Sequence, residues 1–290
     1  PPPPPPPPPR PPPPPPPPAS SPAGSTPFAI TTPTSSPDLA SKLVFIADLE
    51  GRLALWDPGG GALSLLAYQV VDFSPSADGK RLALMRARQT IGDEQRFSLE
   101  VYDLASGQFQ TLAESSPEVY QLALSADGRY LAYTTQEQGG QIEILALGRE
   151  AELELATCMG EAQPACTNGP VWAPDRPEVA WSDSQGVWLA PVNAPPTLVL
   201  PASIAVTDPR GGTSRITVRY ERLSWSPFGR YLLAKVSPIN SEVHWWGLLD
   251  TKTGRQAEIP GTYELGQESA QAAWMGDRRV MAGLPGRADS

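Results

Sequence analysis

From Ser41 onward, short apolar stretches alternate with turn-forming residues, and the interval between copies is regular. One segment reads Asp72-Phe73-Ser74-Pro75-Ser76-Ala77-Asp78-Gly79-Lys80-Arg81-Leu82-Ala83-Leu84. It returns as Ala123-Leu124-Ser125-Ala126-Asp127-Gly128-Arg129-Tyr130-Leu131-Ala132-Tyr133, as Val171 to Trp181, and as Ser224 to Ala234. A worn copy runs from Ala273 to Ala282. Aligned on Phe73, Leu124, Trp172, Trp225 and Trp274, the copies stand 51, 48, 53 and 49 residues apart, an interval that marks a repeat architecture. In the Ser-Pro-Asp-Gly chemistry, proline presets φ, aspartate accepts backbone hydrogen bonds, and glycine takes a positive φ without steric cost. An apolar strand on each side makes each copy a β-hairpin. A second hairpin follows in most repeats: Ser98 to Leu104 with Gln108 to Leu112, and Gly247 to Asp250 with Arg255 to Ile259.

Two hairpins per repeat predict a four-stranded antiparallel blade. One blade cannot bury both faces, whereas blades set around an axis can, so the fold class is all-β, a β-propeller. Aromatic anchors would fill the space between blades, each burying about 150–250 Å². The first repeat (Lys42 to Ala47, Arg52 to Asp57, Leu63 to Leu66) has later strands but no Ser-Pro-Asp-Gly turn before them, and the last has early strands only. These halves complement each other. The expected ring therefore has five blades, closed by strands from both termini, which removes open edges. The alternative is an incomplete six-bladed ring. Residues 201–220 exceed what a blade connection needs and read as an inserted hairpin, Ile204-Ala205-Val206 with Arg215 to Val218; such rim insertions often carry contacts.

Before the repeats the chain changes character. Seventeen of the first eighteen residues are proline, broken by Arg10, which predicts a polyproline II rod roughly 55 Å long. Ala19 to Asp38 is mostly Ser, Thr, Pro, Ala and Gly and buries too little apolar surface to order. The expected organisation is a disordered proline-rich linker or stalk over residues 1–40 and a propeller over 41–285. Besides the spacer role, the arm has the chemistry of a ligand for aromatic-grooved domains. The net charge of -9 and the lack of an offsetting Lys/Arg cluster argue against a nucleic-acid partner. No apolar run is long enough for a transmembrane helix. The chain does not begin with Met and reads as a fragment, so any membrane anchor or signal peptide is expected upstream of Pro1. Cys158 and Cys166 flank a loop-like run and are a candidate disulfide, worth roughly 2–3 kcal/mol; free thiols or half of a metal site are the alternatives. A zinc site needs about four ligands, and His244 is the single histidine, so no metal or other cofactor is expected.

The Trp-Ser-Pro-Asp-Gly-like segment, followed by Lys or Arg, an apolar pair and Ala, resembles the repeat of TolB-like, PD40-type propellers, a WD-repeat-like group. Val101-Tyr102-Asp103-Leu104-Ala105-Ser106-Gly107 is similar to that family's third strand and turn. The resemblance covers most of residues 41–283. It implies a bacterial periplasmic or surface binding or scaffold protein, a sensor module tethered through a proline-rich linker, or a propeller attached to a peptidase; a shared fold does not choose between them.

Few residue sets along the chain carry the pattern of a catalytic site. A peptidase of the prolyl-oligopeptidase type needs a Gly-x-Ser-x-Gly elbow with a downstream histidine, and Gly211-Gly212-Thr213-Ser214-Arg215 does not supply one. A propeller glycoside hydrolase needs carboxylates converging on the central funnel, and Asp48, Asp57, Asp72, Asp103 and Asp183 are the available acids. The expectation is thus that the chain is not an enzyme. It is read as a noncatalytic extracytoplasmic binding or scaffold propeller for a protein or peptide. The alternatives are a propeller-type glycoside hydrolase and the ligand-sensing domain of a membrane-bound bacterial kinase. Candidate ligand-face aromatics are Trp181 and Trp188, which straddle a hairpin turn, and the string His244-Trp245-Trp246. Adjacent residues on a strand point to opposite faces, so inter-blade packing is the competing role for Trp245 and Trp246.

Overall fold

The computed structural model describes residues 42–91, 94–116, 119–135, 141–148, 151–157, 168–207, 212–260, 262, 264–265, 271–275 and 279–283. The proline-rich arm and both cysteines lie outside the described residues. What is described is an all-β propeller whose sheets follow one another along the chain. The first sheet holds β1 (Leu43–Ile46), β2 (Leu53–Asp57) and β3 (Ala62–Ala67). Three four-stranded antiparallel blades follow. They are β4 (Val70–Pro75) to β7 (Gln108–Ser116) through β5 (Arg81–Ile91) and β6 (Glu94–Asp103), then β8 (Val119–Leu124), β9 (Tyr130–Thr135), β10 (Gln141–Ala146) and β11 (Ala151–Thr157), then β12 (Asn168–Trp172), β13 (Glu178–Ser182), β14 (Gly186–Pro191) and β15 (Thr197–Pro201). The fifth sheet has the order β16 (Ser203–Thr207), β17 (Thr213–Trp225), β18 (Tyr231–Pro238), β19 (Val243–Asp250), β20 (Arg255–Glu258), with β21 (Glu264–Leu265) also on β19. Last come β22 (Gln271–Trp274) and β23 (Val280–Gly283), a two-stranded sheet. The strands from the two ends, β1–β3 and β22–β23, stand as separate sheets, and no ladder joins them among the described residues.

The hairpin turns form for the reason the residues suggest. In three of them a buried serine closes the loop. Its N–H donates to the carbonyl five residues on (Ser76 to Arg81, Ser125 to Tyr130, Ser226 to Tyr231), and its hydroxyl accepts the return N–H at 2.9–3.0 Å. Gly79, Gly128 and Gly229 sit at φ of 66–68°, where a side chain is strained. The turn after Trp172 lacks that glycine. There Ala173 N–H donates to Glu178 O at 2.8 Å, and Arg176 donates to Gly229 O of the next turn, also at 2.8 Å. Arg81 makes the same reach to Gly128 O.

The strand register corrects one detail of the alignment. Leu124 lies opposite Leu131, Trp172 opposite Val179, Trp225 opposite Leu232, and Trp274 opposite Val280. The equivalent pair in the first full blade is Pro75 with Leu82, so the anchor there is Pro75, two residues beyond Phe73.

Adjacent sheets pack through apolar clusters. Leu53 and Ala67 meet Leu82, Leu84 and Tyr102; Leu99 and Met85 meet Leu124 and Tyr133; Ile142 and Ile144 meet Val179 and Trp181. Next, Val187 and Leu200 meet Tyr220, Trp225 and Trp245, and Leu233 and Trp246 meet Trp274 and Val280. Each tryptophan anchor also ties its sheet to the one before. Trp172 Nε1 donates to Ala123 O (2.8 Å), Trp225 Nε1 to Val171 O (3.1 Å), and Trp274 Nε1 to Ser224 O (3.2 Å). In every case the acceptor is the residue just before the preceding anchor. Where leucine replaces tryptophan, side chains of the previous blade reach across instead: Leu124 N–H donates to Ser74 Oγ (2.9 Å) and Leu122 N–H to Asp72 Oδ2 (3.3 Å). These bonds fix the stagger between sheets that apolar contact alone would leave loose.

Candidate functional site

The aromatic residues singled out in the sequence fall between blades. Trp181 is 1% exposed and packs toward β8–β11; it pairs across the hairpin with half-buried Trp188, the two rings stacked with centroids 6.4 Å apart. Trp188 Nε1 donates to Asp183 Oδ1 at 2.9 Å. Trp245 and Trp246 point to opposite faces of β19, as a period of two requires. Trp246 faces β22–β23, and Trp245 faces β12–β15. His244 is buried beside them. Of these residues, Trp245 also lines an open crevice.

The candidate carboxylates are spread over separate turns. Asp48 caps the turn to Arg52, Asp57 accepts from Gly59 and Gly60, Asp103 from Ala105 and Ser106, and Asp183 from Gln185 and Gly186. Asp72 differs, because it bridges two blades. Burial pushes its carboxyl above the ordinary range, against the opposing pull of the Leu122 and Phe73 N–H groups. Glu100 is a further buried acid, which sequence reasoning did not single out. Arg86 (3.0 Å) and Arg88 (2.6 Å) clasp it, and Ser98 Oγ donates to it at 2.9 Å.

The crevice lies between the blade β12–β15 and the outer half of the fifth sheet, and it encloses about 220 Å³. Leu200 of β15 forms one wall. The floor is Tyr220, Ala234, Val236, Trp245 and Gly247, which share one face of β17, β18 and β19. Ile204 and Ala205 of the inserted hairpin cover one side, and Leu248 with Gln256, Ala257 and Glu258 the other. Two small residues make the space. Ala234 pairs with Gly247, and a Cβ on Gly247 would stand 3.2 Å from Val236 Cγ2. Burial pushes the Tyr220 hydroxyl up to about 12, so it stays protonated and donates to Pro201 O at 3.1 Å. The result is a mostly apolar cleft with few polar groups, open at the rim, which is the usual make-up of a binding site.

The sequence predicted the covering hairpin (β16 pairs with β17 through Ile204–Ile216), but not the cleft beneath it. That cleft depends on strands remote in sequence placing Gly247 against Ala234 and Leu200 opposite both.

Comparison with known proteins bears on the fold. No protein-family model matches the chain, and no curated protein matches it in sequence. Among solved structures, a TolB protein from Agrobacterium tumefaciens is 18% identical, with a TM-score of 0.51, covering 80% of this chain and 81% of that one. An oligogalacturonate lyase in complex with manganese is 14% identical, with a TM-score of 0.57, over 86% of this chain and 68% of that one. The dihydro-heme d1 dehydrogenase NirN is 17% identical, with a TM-score of 0.50, and this chain spans 46% of its length. The lyase and the dehydrogenase correct the expectation that the chain is not an enzyme. A propeller supplies a platform, and a few side chains at strand ends supply the chemistry, so the missing Gly-x-Ser-x-Gly elbow removes one mechanism and leaves others open. The chain has the fold of the TolB-like propellers, and enzymes are also built on that fold.

Proposed function

We propose that this chain is a binding propeller that takes a protein or peptide partner in the crevice between the blade β12–β15 and the fifth sheet. The observation that carries this reading is the crevice itself: a preformed apolar cleft, floored by Trp245 and Val236 and flanked by a hairpin that is not needed to complete a blade. A concave, mostly apolar cleft with a few polar groups at its rim is the form that binding sites usually take. In this reading the proline-rich arm is a spacer that holds the propeller away from its attachment point. The resemblance to TolB-like repeats supports an extracytoplasmic setting.

The test uses the full chain as bait for a random decapeptide library, with selected peptides measured by calorimetry. Gln256→Arg and Gln256→Trp each place a large side chain at the mouth, from an exposed position on the crevice side of the sheet. Each is expected to weaken the selected peptides at least tenfold with unfolding unchanged. Peptides that bind both variants as tightly as the parent would place the site elsewhere and refute this reading.

A further inference from the structure

We propose that Arg86 and Arg88 form an anion-binding site on the blade β4–β7, which takes an oxyanion (a carboxylate or a phosphate) carried on an apolar group. The site lies on a different blade from the crevice walls and does not depend on the crevice.

The register of three strands brings the residues together. Leu84 of β5 lies opposite Glu100 of β6, and Arg86 opposite Ser98; Glu100 lies opposite Thr111 of β7, and Tyr102 opposite Phe109. Paired residues share a face of the sheet, and on this face Leu84 and Tyr102 pack toward β1–β3. Arg86, Ser98, Glu100 and Phe109 therefore stand on that same face. Arg88 joins them by donating to Ser98 Oγ and to Glu100.

The charges of this group do not balance. In the other arginine ion pairs of the described residues each arginine has a carboxylate of its own: Arg52 has Asp48, Arg81 has Asp103, Arg129 has Asp127 and Arg230 has Asp250, while Arg176 has both Asp175 and Glu178. Arg86 and Arg88 share the single carboxylate of Glu100, which leaves one positive charge in excess on a chain whose net charge is -9. The Glu100 side chain is 2% exposed and that of Arg86 20%, so much of this excess is withdrawn from water, where ionised groups are ordinarily paired.

The hydrogen bonds show where an anion fits. A guanidinium has five N–H donors. Arg86 donates from Nε to Tyr68 O (2.9 Å) and from Nη1 to Glu100 Oε2 (3.0 Å). Arg88 donates from Nε to Ser98 Oγ (2.9 Å) and from Nη2 to Glu100 Oε1 (2.6 Å). Arg86 Nη2 and Arg88 Nη1 meet no acceptor among the described residues, and neither is sealed away from solvent. Both guanidinium planes are thus fixed in advance by two bonds each, with donors to spare for the charge-assisted bonds that oxyanions make with arginine. Phe109 is 42% exposed, and its ring centroid lies 5.8 Å from Arg86 Cζ. A bare ion would leave that ring uncovered, whereas an apolar group on the ligand would cover it.

The test follows the Nε–H signals of Arg86 and Arg88 by nitrogen-15 NMR of the full chain; both are hydrogen-bonded and so slow to exchange. The probes are acetate, phenylacetate, inorganic phosphate and phenyl phosphate, each at constant ionic strength set with sodium chloride. Saturable shifts are expected at both arginines, with each phenyl compound at least threefold tighter than its bare ion. The order of phenylacetate and phenyl phosphate tells a carboxylate ligand from a phosphate one. Arg88→Gln keeps the pair of Glu100 with Arg86 and is expected to weaken binding at least tenfold. Phe109→Ser, at an exposed position, is expected to abolish the phenyl preference and leave the bare ions bound, and Arg129→Gln is expected to change nothing. Absence of saturable shifts with all four probes at about 100 mM, or shifts that survive Arg88→Gln, would reduce the three residues to a buried ion cluster and overturn the site. Equal affinity for the phenyl and bare forms overturns the apolar ligand.

Discussion

Trp225→Phe probes how the sheets hold to one another. The residue is 8% exposed, donates to Val171 O across the interface at 3.1 Å, and carries the Arg176 guanidinium 5.1 Å from its ring centroid. Phenylalanine keeps most of the ring but loses the donor. A net hydrogen bond is worth about 0.5–1.5 kcal/mol, and the carbonyl left behind adds to the cost. The smaller ring leaves a void at about 24 cal/mol per Å³, and the cation–π contact, worth about 0.5–1 kcal/mol at exposed sites, is weakened. The sum is roughly 2–3 kcal/mol. At about 2–4 °C per kcal/mol for a domain of this size, Tm falls by roughly 5–10 °C. The assay is urea denaturation followed by far-UV circular dichroism, which does not depend on the tryptophan removed. Trp172→Phe, which loses the 2.8 Å bond to Ala123 O, is expected to behave alike. Trp56→Phe is the reference: Trp56 is 38% exposed, and the change is expected to cost under about 0.5 kcal/mol. If Trp225→Phe and Trp172→Phe cost no more than Trp56→Phe, the indole bonds are not what locks the sheets in place.

Further outcomes follow from single positions. Gly186 has φ +143°, and a Cβ there would stand 1.8 Å from Leu200 O; Gly186→Ala is expected to cost more than about 4 kcal/mol in urea denaturation, whereas Gly107→Ala, with only the Tyr102 hydroxyl nearby at 3.8 Å, should cost about 1 kcal/mol. Glu100→Gln leaves Arg86 and Arg88 without their shared buried carboxylate, and stability should fall by roughly 2–4 kcal/mol in the same assay. The hydrogen bond from Arg230 holds the Asp250 carboxyl down at about 2. Its contribution is therefore present above the ordinary carboxylate range and is lost as pH falls through about 2; carbon-detected NMR titration should find that midpoint, and Arg230→Gln should move it back up. For Asp72 the sign is reversed: its raised pKa favours the folded state at low pH, so the stability of Asp72→Asn relative to the parent should improve as pH rises through the carboxylate range.

The turns were legible because they are local. Ser125-Ala126-Asp127-Gly128 and Ser226-Pro227-Phe228-Gly229 hold their own hydrogen bonds and a positive φ within a few residues. In the first copy the sequence pattern places the anchor two residues early, because Phe73 resembles it, whereas the serine hydroxyl that closes the turn belongs to Ser76, and Ser74 Oγ instead accepts from Leu124 N–H of the next blade. The opposite orientations of Trp245 and Trp246 follow from strand periodicity alone. Which neighbour each would meet does not, since that depends on the order of the sheets. The crevice was the least legible feature. It arises where Ala234 and Gly247, small residues with no local signal, become cross-strand partners beneath Ile204 of the inserted hairpin. Glu100 was missed for a similar reason: its arginines lie on the neighbouring strand, at a spacing that only the β5–β6 register explains.

The crevice as recognition site is tested most directly by fluorine NMR of the full chain carrying 5-fluorotryptophan, with the Trp245 signal assigned from Trp245→Phe. On addition of a decapeptide selected on the full chain, Trp245 should shift while the interface tryptophans Trp172, Trp225 and Trp274 stay where they are. A silent Trp245 with movement at Trp172 or Trp274 would contradict a binding site between the blade β12–β15 and the fifth sheet.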